Sequence, residues 1–265
     1  MDLKMIIALV GLGALVGACS EQETEVVSDQ TVAAAEEAAV LPDYAAILAA
    51  EDRTEEDKGR DASRKPAEAM ALMGVKPGQM VIDIGSGGGY YAENLARASA
   101  GGGGMVHAVN SPGTVERFPQ VVGSLAERRE ALTRGAIIPQ VMEFAEMTFH
   151  APADIAFMGQ MYHEIIRQNL DAAAINAAVF NALKPGGIYA IEIHNGAAGS
   201  GREASESYHR ADPDIVRAEV LAAGFELVEE NITLFANPDD PLDILVFDES
   251  IRGNTARTLF IFRKP

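Results

Sequence analysis

A doubly wound α/β domain on a mostly parallel, seven-stranded sheet is the fold this sequence predicts, and three observations predict it. From Gln79 onward, short β-branched apolar runs alternate with longer amphipathic segments. The first such run ends in a glycine cluster, Gly85-Ser86-Gly87-Gly88-Gly89, where a helix should start. The 265 residues are 48% hydrophobic, which excludes wholesale disorder and supplies the core of one large domain. Strands that alternate with helices pair in parallel and bury both faces of their sheet under those helices.

The elements follow in order. Residues 80–84 are compact and apolar, as a strand buried on both faces must be. The glycine turn 101–104 leads to a second strand, 105–109. Residues 120–134 read as a helix, 137–144 as a weaker third strand and 154–158 as the fourth. Within 171–183, Ile175, Val179, Ala182 and Leu183 share one helical face, and Lys184-Pro185-Gly186-Gly187 stops that helix before a fifth strand at 188–193. Asp212-Pro213 opens a helix over 214–223 that Gly224 ends, and 225–228 and 258–262 complete the seven strands.

The N-terminal part is of a different kind. An apolar run from residue 5 to residue 18 is preceded by Lys4 and followed by Cys19, the only cysteine. As a helix it would reach about 21 Å, short of the ~30 Å hydrocarbon core, so residues 1–18 read as a secretory signal and not as a permanent span. Leu15-Val16-Gly17-Ala18-Cys19 resembles the lipobox of bacterial lipoproteins. That resemblance implies cleavage before Cys19, lipid attachment there and, with Ser20 next, a place in the periplasm anchored to the outer membrane. A buried core helix is the alternative reading of the run. Residues 19–42 read as an acidic tether, since positions 20–52 hold nine acidic side chains and no basic one, and 43–265 form the domain.

Composition also narrows the chemistry. A net charge of −18 is the wrong sign for a nucleic-acid binder, so no nucleic-acid partner is expected. One cysteine leaves no intramolecular disulfide and no cysteine-rich metal centre. In open α/β sheets a ligand sits beyond the carboxyl ends of the strands, which here means at Asp83-Ile84-Gly85-Ser86-Gly87-Gly88-Gly89-Tyr90. A dinucleotide fingerprint would need a glycine at position 90, where this chain has Tyr90, and Gly89 instead completes Gly-x-Gly-x-Gly.

An acidic residue followed by Gly-x-Gly-x-Gly resembles the first motif of the class I S-adenosylmethionine-dependent methyltransferases. The Leu183 to Gly187 turn and Ala222-Ala223-Gly224-Phe225 are similar to two further habits of that family. More narrowly, Arg64-Lys65-Pro66, the Gly87 to Tyr91 loop and Tyr162-His163 resemble an exported bacterial group within it. The resemblance implies a Rossmann-like methyltransferase fold with S-adenosyl-L-methionine as cofactor. It further implies that Asp83 holds the cofactor's amino group, that Gly85, Ser86, Gly87, Gly89 and Tyr90 lie against its methionine part, and that Asn110 meets the ribose. Glu146, with Glu143, Phe144 and Ala145, stands where the adenine contact is expected. Where Asn110 stands, the family usually has a carboxylate that accepts from both ribose hydroxyls, so Asn110→Asp is expected to tighten binding.

Methyl transfer to a hydroxyl needs a base, and His163, just beyond the fourth strand, is the candidate, with Tyr162 positioning the acceptor. His194 and His209 share that edge by topology. Their spacings of 31 and 15 residues match no local ligand motif, and no metal site is expected. Arg60, Asp61, Arg64 and Lys65 form either a lid or a solvated face, and 195–211 either a loop over the acceptor pocket or a plain connection. The functional expectation is a methyltransferase acting on a small-molecule acceptor. The alternative is a non-catalytic ligand-binding lipoprotein on the same fold.

Overall fold

The computed structural model describes residues 41–265, so the signal segment, Cys19 and nearly all of the tether lie outside the described residues. The seven strand segments form one sheet: β1 (Met80–Ile84), β2 (Met105–Asn110), β3 (Ile137–Val141), β4 (Ala153–Gly159), β5 (Leu183–His194), β6 (Glu226–Phe235) and β7 (Arg257–Arg263). Their order is β3-β2-β1-β4-β5-β7-β6. The first five strands run parallel, while β7 pairs antiparallel with both β5 and β6.

Among the described residues ten α-helices accompany them: α1 (Tyr44–Leu48), α2 (Glu55–Arg64), α3 (Pro66–Met73), α4 (Tyr90–Ser99), α5 (Pro112–Arg117), α6 (Gln120–Ala131), α7 (Tyr162–Arg167), α8 (Ala172–Ala182), α9 (Glu203–Tyr208) and α10 (Pro213–Ala222). Successive strand residues point to opposite faces, so Ile82 and Ile84 enter one core while Val81 enters the other. The first core takes Ile175 and Val179 from α8 and Val216 and Val220 from α10. The second takes Ala69 and Met70 from α3 and Leu95 from α4. Helices on both faces explain why β1 tolerates no polar side chain except Asp83, at its carboxyl end. None of the described helices is long and apolar enough to cross a membrane.

Some boundaries differ from those the sequence suggests. The third strand stops at Val141, and the chain turns into a short 3-10 segment, Phe144–Glu146, because Phe144 leaves the sheet edge to join the core. The sixth strand runs on to Phe235, beyond the expected 225–228, since antiparallel pairing with β7 continues to Phe235 opposite Arg257. Leu183 begins β5 instead of closing the helix, which ends at Ala182. Segment 195–211 contains α9 and the fully buried Arg210. Arg210 pairs with Asp240 through bonds of 2.8 and 2.9 Å and donates to the carbonyls of Asn195 and Ile244. This holds the β6–β7 connection, residues 236–256, against the strand ends.

Candidate active site

The strand order reverses at β1, whose neighbours β2 and β4 carry the chain to opposite sides, and the crevice at that point is where ligands of such sheets bind. The loop after β1 is built to occupy it. Gly85 and Ser86 both donate backbone hydrogen bonds to the Val109 carbonyl, at 2.9 and 3.1 Å. Asn110 then clasps the next glycine from both sides. Its Oδ1 accepts from the Gly87 N–H at 2.9 Å and its Nδ2 donates to the Gly87 carbonyl at 3.1 Å. Gly87 has φ +55°, and a Cβ there would meet nothing within 4 Å, so the loop presents bare backbone to open space.

Beneath the loop, Asp83 is 3% exposed and its Oδ2 has no hydrogen-bond partner among the described residues. Burial pushes its carboxyl up to about 6, against the opposing pull of Ser86, the Ala92 N–H and the charge of Arg64. Helix α2 is fastened across the loop. Asp61 bridges Arg53, at 2.6 and 2.8 Å, and the Tyr90 hydroxyl, at 2.6 Å. The guanidinium groups of Arg60 and Arg64 lie 4.7 and 5.0 Å from the Tyr90 ring centre. Arg128 of α6 donates to the Gly88 carbonyl at 2.7 Å and pairs with Asp57 and Glu93. Of the two alternatives for residues 60–65, the structure therefore gives a cover and not a free solvated face.

Three adjoining compartments form one cleft along the carboxyl edge of the sheet. The first, about 410 Å³, lies over Asp83, Gly85, Ser86 and Gly87 and is walled by Arg60, Arg64 and Tyr90. The second, about 460 Å³, runs from Gly85 and Gly87 past Ser111 and Thr114 to Met161, His163 and Glu164. The third, about 390 Å³, lies between α2 and the β6–β7 connection and includes Arg252, Thr255 and Arg257. Gln160 is the residue common to all three. It adopts φ +55°, a conformation costly for a side-chain-bearing residue, and is held there by two bonds of 2.7 Å to Glu192, one from its backbone N–H and one from Nε2. Glu192 is fully buried and also accepts from Arg257 at 2.6 Å.

Three histidines gather on this edge, His163 with ring centres 5.5 Å from His209 and 6.3 Å from His194. Glu164 lies 3.5 Å from His163 Nε2 and 3.6 Å from His209 Nε2, and its carboxyl is held well below the usual range by His163, Arg167 and Gln168 despite burial. Burial, followed by the charges of His163, Arg257, Arg210 and Arg64, drives the His194 imidazole well below its ordinary value and keeps it neutral. Its Nδ1 lies 2.7 Å from the Thr255 hydroxyl. Among the described residues, no group of three or more His, Cys, Asp or Glu side chains is placed to hold a metal ion.

The structure brings Asp83, Gly85, Ser86, Gly87, Tyr90 and His163 to the cleft, and places four other expected site residues elsewhere. Asn110 is 1% exposed and spends its amide on Gly87, so it braces the loop from behind. Gly89 faces α6, where a Cβ would come within 2.6 Å of Leu125 Cδ2, so this glycine serves helix packing. Glu146 is exposed beyond β3 and lines none of the three compartments. Tyr162 is fully buried, its hydroxyl 2.8 Å from both Glu219 and Asn176 on the core side of α7. In an α-helix, neighbours such as Tyr162 and His163 point about 100° apart, and only His163 reaches the cleft.

Neither a family model nor a curated protein matches the chain. Solved structures do. A SAM-dependent methyltransferase from Aquifex aeolicus superposes with a TM-score of 0.53 at 16% identity, over 84% of this chain and 100% of that one. The glycopeptide N-methyltransferase MtfA, solved in complex with sinefungin, gives 0.51 at 13% identity over 77% of this chain and 86% of its own. The cyclase SpnF gives 0.54 at 16% identity over 77% and 81%. The shared property is the methyltransferase fold.

Sequence reasoning missed Gln160, Arg128 and the residues of the β6–β7 connection that line the cleft: Val246, Phe247, Arg252 and Thr255. No local motif marks them, since a loop far along the chain reaches the site only after β7 inserts between β5 and β6.

Proposed function

We propose that this protein is an S-adenosylmethionine-dependent methyltransferase acting on a small-molecule acceptor, carried on a lipid anchor at Cys19 in the periplasm. The observation that carries the reading is the pairing of a buried, unpartnered carboxylate oxygen on Asp83 with bare backbone at Gly87. A carboxylate in that position suits the ammonium group of an amino-acid ligand, and Arg60 and Arg64 across the same compartment suit its carboxylate. The second compartment, beginning at Gly85 and Gly87 and passing Ser111 and Thr114, has room for the nucleoside. When bound, the cofactor supplies an electrophilic methyl group on a sulfonium sulfur. MtfA, on the same fold, was solved with sinefungin, which adds support.

The protein's own contribution is placement and proton removal. Gln160, held in its strained conformation by Glu192, stands where the three compartments meet and orients what lies there. His194 borders the second and third compartments, and its neutral ring is tied to Thr255. With Nδ1–H donated to the Thr255 hydroxyl, Nε2 keeps its lone pair and takes the proton of an acceptor hydroxyl or thiol. In this reading His194 takes the base role that the sequence suggests for His163. His163, steadied by Glu164, walls the second compartment alone.

Calorimetric titration of the protein with S-adenosylhomocysteine and sinefungin tests the reading. Micromolar binding that Gly87→Val abolishes is expected. No binding of either compound, with a folded protein, would overturn it and move the chain to the ligand-binding alternative. The anchor is tested separately by intact mass of membrane-extracted protein, which should show loss of residues 1–18 and acyl addition at Cys19.

A further inference from the structure

We infer that the third compartment is an anion site and that the methyl acceptor is a small organic anion held by its carboxylate or phosphate group. As a statement about the acceptor this rests on the methyltransferase reading. As a statement about binding it stands on the geometry alone.

Four arginines, Arg60, Arg64, Arg252 and Arg257, line this compartment, and no Asp or Glu does. In a chain whose acidic residues outnumber its basic ones by 39 to 21, a carboxylate-free wall of guanidinium groups is opposite to the surrounding charge. Two of the four are neutralised, Arg60 by Asp57 at 3.3 Å and Arg257 by Glu192 at 2.6 Å. Arg64 and Arg252 have no carboxylate within 4.0 Å among the described residues; Arg64 also borders the first compartment, where the cofactor's carboxylate would take it, so Arg252 is the uncompensated charge that belongs to the third compartment alone.

A second observation is independent of that arithmetic. Arg257 is 5% exposed, and its Nε has no hydrogen-bond partner among the described residues although Nη1 and Nη2 are engaged by Glu192 and the Ser63 carbonyl. A buried guanidinium donor without a partner costs stability; this guanidinium is stacked 3.9 Å from the Phe235 ring centre, which fixes it at the wall of the compartment. The ring of Phe247 and the side chain of Val246 complete the lining with apolar surface, and His194 stands at the boundary with the second compartment. A volume of about 390 Å³ suits an aromatic or short aliphatic acid, its charged head on the arginines and its reactive atom toward His194.

The test titrates the full chain at low ionic strength with benzoate, its neutral counterpart benzamide, and phenyl phosphate. Benzoate or phenyl phosphate should bind about tenfold or more tighter than benzamide, as charge-assisted bonds require, and the stronger of the two identifies the head group. Arg252→Gln should cost about tenfold in anion affinity, Arg252→Lys less, and neither should change the affinity for S-adenosylhomocysteine, because Arg252 lines only the third compartment. Anion binding should also persist when S-adenosylhomocysteine is saturating.

Equal affinity for benzoate and benzamide, no effect of Arg252→Gln, or competition between anion and S-adenosylhomocysteine would each overturn the inference. The last would assign Arg252 and Arg257 as well to the cofactor's own carboxylate. Anion binding without any S-adenosylhomocysteine binding would sink the methyltransferase reading and leave the anion site standing.

Discussion

Replacing Asn110 by Asp separates a loop brace from a ribose contact. The side chain is buried and makes two bonds to one peptide unit, accepting at 2.9 Å from the Gly87 N–H and donating at 3.1 Å to its carbonyl. Aspartate keeps the first bond and turns the second into a carboxylate oxygen facing a carbonyl oxygen. The lost bond is worth about 1 kcal/mol, and a carbonyl left buried without a donor adds roughly 1–3 kcal/mol, so a loss of about 2–4 kcal/mol in stability is expected. If the loop escapes that repulsion by moving, the ligand must restore it, and each tenfold loss of affinity corresponds to about 1.4 kcal/mol. Urea unfolding gives the first quantity and titration with S-adenosylhomocysteine the second.

Acidity supplies a further signature. Burial and the facing carbonyl raise the pKa of the new carboxyl in the folded state above its unfolded value of about 3.9. Its penalty is therefore complete above the folded pKa and disappears as pH falls toward the unfolded one, where a protonated Asp can donate to Gly87. The stability gap between wild type and Asn110→Asp should narrow with acidification. A tenfold gain in affinity with unchanged stability would refute this reasoning and return Asn110 to the ribose.

Because burial pushes the Asp83 carboxyl up to about 6, ionising it costs the free protein roughly 3 kcal/mol, and stability declines as pH rises from about 4 through 6; Asp83→Asn should abolish that decline, raise the melting temperature at neutral pH and weaken S-adenosylhomocysteine at least about tenfold. Gly87→Val should leave the fold with only about 1–2 kcal/mol of backbone strain while losing ligand, whereas Gly89→Ala, whose Cβ would lie 2.6 Å from Leu125 Cδ2, should show its cost mainly as a lowered melting temperature. Tyr162→Phe leaves buried Asn176 and half-buried Glu219 without their shared partner and should cost about 1–3 kcal/mol in denaturant unfolding with cofactor affinity intact; a selective loss of turnover would restore Tyr162 to the site. His194→Ala should depress turnover of a hydroxyl acceptor by about 10²–10⁴ with little change in cofactor affinity, and an equal or larger loss in His163→Ala would return the base role to His163.

The sequence by itself determined the sheet, the glycine loop and the edge on which the site lies. Apolar periodicity reports burial residue by residue, and Asp83, Gly85 and Gly87 announce themselves because a charged residue at a strand end and glycines before a helix have few other uses. Tertiary structure alone decided what each neighbour of the loop does. Asn110 stands at the expected strand end, yet its amide turns inward to Gly87. Tyr162 and His163 are adjacent in the chain and point to different sides of one helix, one bonded to Glu219 and the other in the cleft. The arginine wall of the third compartment joins α2 to a connection some 190 residues later, and it exists because Arg210 and Asp240 pin that connection to the strand ends. Periodicity states how deeply a side chain is buried; which partner it meets there depends on pairings between segments that the chain order does not record.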